Sequence, residues 1–298
     1  MNWLFFATGA YLIYSATNFI DKYLVEKRVK DPISLITIDG ALYFVLGILF
    51  FIFGGSHFIP LVQALLLILS GSFLTFYLLP YFQALQREDT SRVVPLFQFY
   101  PIWTLLLSFL FLHETLTQNQ LLGFAIVVAG GFLLGLEDFS LKTLQLRKAF
   151  FLMLFSSFLY ALSNIIFKFV TINNFWTNFS YITVGSAIGS LLLLYKKHNR
   201  SVLKEQLKVL TLGTGIIFLV NSLLNLLAEL LAFFALSLGP VALVSAVNGI
   251  QPFIIFVYGF ILTLLFPKII KEDISKKTIL LKIAVAIVLG FGIYIIYT

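Results

Sequence analysis

The sequence predicts an all-α polytopic membrane protein: ten transmembrane helices built as two inverted five-helix repeats. Three observations predict it. Only 11% of the 298 residues are charged and 60% are hydrophobic, whereas a soluble domain carries about a quarter charged residues. The mean hydropathy is accordingly +1.01. The apolar residues fall into ten runs close to the roughly 20 residues that span a hydrocarbon core as a helix. Blocks of the first half also recur in the second.

The runs cover 3–21, 33–53, 59–85, 92–112, 118–136, 148–170, 176–195, 211–237, 241–266 and 278–297, here called spans 1 to 10. Helix is forced in each because lipid offers no partner to backbone N–H and C=O groups. Span 1 lacks the basic leader of a signal peptide and continues through Ser15, Thr17 and Asn18 to Asp21 and Lys22, so it is expected to stay in the mature protein. The connections are short and no extramembrane domain is expected. The stretch from Lys196 to Lys208 reads as a basic amphipathic helix on the membrane surface.

Lys and Arg are distributed unevenly. Of the 20, 19 fall after spans 1, 3, 5, 7 and 9, and Lys168 alone falls after an even-numbered span. By the positive-inside rule the odd-numbered connections are cytoplasmic and both termini lie outside. The net charge of +7 therefore marks membrane orientation, and nucleic acid is not an expected partner. The absence of cysteine excludes disulfides and thiolate metal sites.

The internal repeat aligns in three blocks. At an offset of 146, Tyr14, Asn18 and Lys22 match Tyr160, Asn164 and Lys168; at 151, Phe82 to Leu85 and Pro101 match Phe233 to Leu236 and Pro252; at 159, Leu121, Ala125 and Gly131 match Leu280, Ala284 and Gly290. Repeat one is assigned to 1–139 and repeat two to 146–298. Five spans per repeat put the second copy upside down relative to the first, an architecture that secondary transporters use.

The stretch from Phe82 to Gly135 carries an F-x-A-L helix end, Pro101, Glu114, Gln120, Gly123 and the Gly130-Gly131 pair. It resembles the EamA-type signature of the drug/metabolite transporter superfamily, and Phe233 to Gly290 repeats it more loosely. The resemblance implies a ten-helix carrier with one central cavity for amino acids, amines, nucleotide sugars or lipid-linked sugars. Members of that family often keep both termini in the cytoplasm, opposite to the charge count here.

Transport needs polar groups at membrane depth, where they are costly and face a cavity or one another. Asn221, Asn225 and Glu229 recur every four residues along one face of span 8, either as a cavity wall or as an interhelical hydrogen-bond ladder. Asp39 lies about two turns into span 2, with Lys22 as its expected partner, and the same geometry predicts Lys168 beside Glu229. Each lysine is a gating group or a snorkelling one. The faces Tyr14-Asn18-Lys22 and Tyr160-Asn164-Lys168 are expected to line the cavity, together with Gln98, Tyr100 and Trp103 of span 4 and Asn248, Gln251 and Tyr258 of span 9. Pro101 and Pro252 mark hinges or static kinks. Gly131 to Gly135 and Gly185 to Gly189 read as close-packing G-x3-G pairs within the monomer.

No catalytic constellation or P-loop is present, and His57, His113 and His198 lie between spans, so no enzyme activity, metal or cofactor is expected. The expected function is alternating-access transport of a small polar or amphiphilic metabolite such as an amino acid or amine, with Glu229 either binding a cationic group or exchanging a coupling proton. The alternatives are a carrier of phosphorylated or lipid-linked sugars, or a non-transporting scaffold. The expected partners are a small-molecule substrate and the lipid bilayer. The protein is expected as a monomer or weak homodimer in the plasma (inner) membrane of a prokaryote.

Overall fold

A computed structural model describes residues 2–29, 31–88, 90–135, 148–170, 174–265 and 276–297, and its regular structure is helical. The fourteen α-helices are α1 (Asn2–Tyr23), α2 (Pro32–Phe53), α3 (Leu61–Phe76), α4 (Leu78–Leu85), α5 (Thr90–Leu96), α6 (Phe99–Leu107), α7 (Gln118–Gly135), α8 (Lys148–Val170), α9 (Phe175–Leu193), α10 (Lys197–Val209), α11 (Leu212–Leu238), α12 (Val241–Ala246), α13 (Gln251–Leu265) and α14 (Lys276–Tyr297). Each predicted run is helical. The run ends at 136 and 266 and the repeat boundaries at 139 and 146 lie outside the described residues.

Among the described residues, seven stretches are long and apolar enough to cross a membrane: Pro32–Phe53, Leu61–Leu85, Val93–Leu112, Lys148–Val170, Leu212–Leu238, Val241–Leu264 and Ile279–Ile296. The α7 stretch is apolar but shorter, and α9 passes only together with α10, which turns away from it by 105°. That bend separates the basic helix α10 from the apolar α9, as the change of composition at Lys196 predicts.

Three stretches are interrupted, and proline sets the place. A proline nitrogen cannot donate to the carbonyl four residues back, and its ring crowds that carbonyl. The α3/α4 break at Tyr77 precedes Pro80, the α5/α6 break at Phe97 and Gln98 precedes Pro101, and the 3-10 turn Val247–Ile250 between α12 and α13 precedes Pro252. The Asn248 carbonyl, which Pro252 deprives of its α-helical partner, accepts the Gln251 N–H in the 3-10 turn and a bond from Gln98 Nε2 at 3.0 Å.

Packing is arranged in pairs: α1 against α11, α3 against α8 and α9, α2 against α9, and α7 against α14. The α3–α9 seam brings backbone onto backbone. Ser72 Oγ donates to the Gly185 carbonyl at 3.2 Å, Thr75 Oγ1 to the Ser186 carbonyl at 2.6 Å, and Ser186 Oγ to the Gly71 carbonyl at 3.0 Å. Small residues and interhelical hydrogen bonds of this kind replace the hydrophobic drive that lipid does not supply. Gly185 and Gly189 thus pack within the chain, against Ile68 and Ser72, and Gly131 packs against Gln98 and Gly249.

Candidate functional site

A cleft opens among these helices, with about 710 Å³ of non-protein space counting the solvent at its mouth. Helix α1 contributes Tyr11, Tyr14, Asn18 and Asp21, whose 3-4-3 spacing puts them on one face. Asp39 and Tyr43 come from α2, one turn apart, and Asn225 and Glu229 from α11 in the same relation. Tyr77, Leu78, Tyr81 and Phe82 come from the α3/α4 stretch, Val94 and Phe97 from around the α5/α6 break, and Met153 and Tyr160 from α8. Asn248 and Gln251 come from the interrupted α12/α13 stretch.

Three carboxylates line the cleft, and among its described lining residues there is no Lys, Arg or His. Asp21 accepts from Asn221 Nδ2 at 2.7 Å, and the Tyr81 hydroxyl lies 2.8 Å from Asn18 Oδ1 and 3.2 Å from Asp21 Oδ2. The Ser222 hydroxyl donates to Asp39. Asn221 and Ser222 precede Glu229 by about two turns of α11, so Asp21 and Asp39 sit at one level and Glu229 about 10 Å further along the helix axis. Aromatic rings line the same cleft; Tyr77 and Tyr160 are 5.0 Å apart, and the Tyr14 and Tyr160 hydroxyls meet at 3.5 Å.

The polar inventory of the cleft is incomplete. Asn248 is 0% exposed, and neither its Nδ2 nor its Oδ1 has a hydrogen-bond partner; Asn18 Nδ2 also lacks one. Buried amides without partners cost stability unless something fills the cleft beside them.

Of the residues predicted from sequence, Tyr14, Asn18, Asp39, Tyr160, Asn225, Glu229, Asn248 and Gln251 line the cleft. Asn221 stands behind it, holding Asp21. Asn164 Nδ2 donates to the Tyr100 hydroxyl at 2.6 Å, and both lie behind Tyr160, whose ring is 4.8 Å from that of Tyr100. Gln98 is buried on the Asn248 carbonyl, Trp103 packs edge-on to Phe158 at 5.3 Å, and the Tyr258 hydroxyl is 3.4 Å from the Leu12 carbonyl, away from the cleft.

Both lysine pairings need correction. Lys22 Nζ donates to the carbonyls of Leu85 at 2.7 Å and Glu88 at 3.0 Å, beyond the end of α4, while Asp39 takes Ser222. Lys168 Nζ donates to the carbonyls of Leu236 at 2.8 Å and Gly239 at 2.9 Å, at the end of α11, rather than to Glu229. The last carbonyls of a helix have no partner within it and carry the negative end of its dipole, so a cation is drawn there before it reaches a carboxylate deeper in the cleft. Glu114 acts conversely, its carboxylate accepting the Val241 N–H at 3.0 Å at the start of α12.

Sequence reading treated Asp21 as a flank of span 1 and missed Tyr11, Tyr43, Tyr77 and Tyr81. The signal for Asp21 was present in its spacing of three from Asn18 and seven from Tyr14, which continues the cleft face of α1.

Comparison with known proteins gives a family match over part of the chain, and a fold. Residues 1–136 match the sequence model of the EamA-like transporter family. An uncharacterized protein of Methanocaldococcus jannaschii is 37% identical over 78 residues, which is 26% of this chain and 52% of that protein, so the match spans about half the length of that relative. A crystal structure of another protein, 13% identical, covers 99% of this chain and 95% of that one with a TM-score of 0.67; at this identity the likeness shows the fold alone. The resemblance to EamA-type transporters is borne out over residues 1–136, and with its apolar helices the chain is a multi-pass integral membrane protein.

Proposed function

Proceeding from the match of residues 1–136 to the EamA-like transporters, of the drug/metabolite transporter superfamily, we propose that the whole chain is a secondary carrier working by alternating access, with ten spans in two inverted repeats. Several pairs of equivalent features support the repeat. Offsets of 146 and 151 carry Lys22 on the Leu85 and Glu88 carbonyls to Lys168 on the Leu236 and Gly239 carbonyls. They also carry the break before Pro101 to the break before Pro252, and the packing of α1 on α11 to that of α8 on α3. Tyr14 meets its own equivalent, Tyr160.

The observation that carries the transport reading is where this symmetry fails. Equivalent residues at the centre both line the cleft: Tyr14 and Tyr160, Leu78 and Glu229, Phe97 and Asn248. Towards one end only one partner does. Asp21, Phe82, Met153 and Asn225 line it, whereas their equivalents Phe167, Phe233, Ala7 and Leu74 do not. On the far side Phe167 packs edge-on to Phe233 at 4.7 Å, and Phe6 on Phe234 at 4.7 Å, closing that end. A repeat protein with one open and one sealed end becomes its own mirror state when the two repeats exchange conformations. The proline breaks at the centre supply the bending points.

The open end faces the odd-numbered connections, where 19 of the 20 Lys and Arg fall, so this state is open to the cytoplasm with both termini outside. A monomer in the plasma membrane, with Glu229 taking the coupling proton, completes the reading. The three carboxylates argue against phosphorylated substrates, which a cleft without cations would repel.

Counterflow in proteoliposomes tests the carrier reading. Vesicles preloaded with an unlabelled metabolite are expected to draw in its labelled form, saturably and only when both pools are present. If no member of a panel of amino acids, amines and sugar phosphates is exchanged, the scaffold reading takes its place.

A further inference from the structure

We propose that the cleft takes a basic amino acid, with the guanidinium of an arginine-like side chain between Asp21 and Asp39 and the amino-acid head between Glu229 and Asn248. The inference rests on the carrier reading of the same cleft and names its substrate.

The charges come first. The carboxylates are divided between two levels about 10 Å apart along α11, with one charge deep and two near the open end. An inorganic cation does not suit that spread, and among the described residues no three acidic or histidine side chains are close enough to hold one. An elongated molecule with a positive group at each end does.

At the outer level the two carboxylates belong to different helices, α1 and α2, and the Tyr81 hydroxyl already lies 3.2 Å from Asp21. A guanidinium suits such a place, because its planar fork of donors can bond two acceptors at once and its face stacks on an aromatic ring. The rings of Tyr77 and Tyr81, 6.4 Å apart, supply that surface.

At the inner level the demand is mixed. Glu229 asks for a cation, while the unpartnered Asn248 Nδ2 asks for an acceptor and its Oδ1 for a donor. An α-ammonium beside an α-carboxylate meets these demands with one group of atoms. A plain polyamine satisfies Glu229 and leaves the Asn248 donor orphaned, and a neutral amino acid leaves Asp21 and Asp39 without a counter-ion.

Isothermal titration of the purified full-length chain in detergent tests this with three ligands of matched shape. Arginine is expected to bind. Citrulline, which replaces the guanidinium by a neutral urea, and agmatine, which lacks the carboxylate, are each expected to bind about tenfold more weakly or worse. Citrulline binding as tightly as arginine overturns the outer site, and agmatine binding as tightly overturns the inner one. D39N, a nearly isosteric change, should bring arginine down towards citrulline; the ligand series on the unaltered chain stands independently of how that variant folds. Arginine counterflow separates the two readings. Binding without exchange keeps the ligand and contradicts the carrier, whereas exchange of another solute without arginine binding contradicts the ligand alone.

Discussion

Glu229→Gln is expected to reduce the initial rate of exchange in proteoliposomes by about thirtyfold or more, for whichever solute the unaltered chain exchanges. Glu229 is 6% exposed, stands one turn from Asn225, and is the innermost of the three cleft carboxylates. Truncating one partner of a buried charge pair costs on the order of 2–5 kcal/mol, and Glu229 forms such a pair with the cationic group of a bound solute, the case to which the expected loss applies. Glutamine keeps the shape, so the melting temperature should change little while exchange collapses. Unchanged exchange would make Glu229 a rung of an interhelical ladder and remove it from the transport machinery.

The second large effect concerns the scaffold. Gly185→Leu is expected to abolish the folded, monodisperse protein, because a Cβ at 185 would stand 2.4 Å from the Ile68 carbonyl oxygen and 2.7 Å from its Cα. The obstruction is backbone, so no rotamer change relieves it, and α3 and α9 would have to separate. Overpacking a tight core costs about 1–3 kcal/mol where side chains can yield, and more where they cannot. Gly71 faces the same seam from the other helix, with a Cβ falling 2.0 Å from the Ile182 carbonyl oxygen. Gly213→Ala, in α11 with nothing within 4 Å of its Cβ position, is the control and should be neutral or slightly stabilising. Size-exclusion profiles and melting temperatures in detergent distinguish the two.

Much of the helical layout was legible because lipid removes most of the alternatives: a run of about 20 apolar residues has to be a helix. The cleft faces of α1 and α11 were legible in part, since Tyr14 with Asn18 and Asn225 with Glu229 sit four residues apart. The lysine partners were not. Spacing tells which residues share a face of one helix, but the carbonyls that hold Lys22 and Lys168 belong to other helices and leave no side-chain signature. Asp21 was hidden by its position beside Lys22 at the end of an apolar run, where a carboxylate ordinarily meets water; Asn221, 200 residues away in sequence, holds it inside. The break at Val247–Ile250 was legible only as a proline, because whether a proline bends or interrupts a helix depends on where the carbonyl it leaves finds partners, here the Gln251 N–H and Gln98 Nε2.

The chain has no cysteine, so single cysteines can be introduced without removing any native residue of that type. Asn225 lines the cleft, and Leu74, its counterpart in the proposed repeat, is 1% exposed and does not. In sealed membranes without substrate, the N225C thiol should react with a membrane-impermeant maleimide applied from the side of the odd-numbered connections, and the L74C thiol should not react. During turnover, L74C should become reactive from the opposite side while N225C labelling falls. Exchange of solute with L74C protected throughout, or both positions labelled from the same side, would contradict alternating access between inverted repeats.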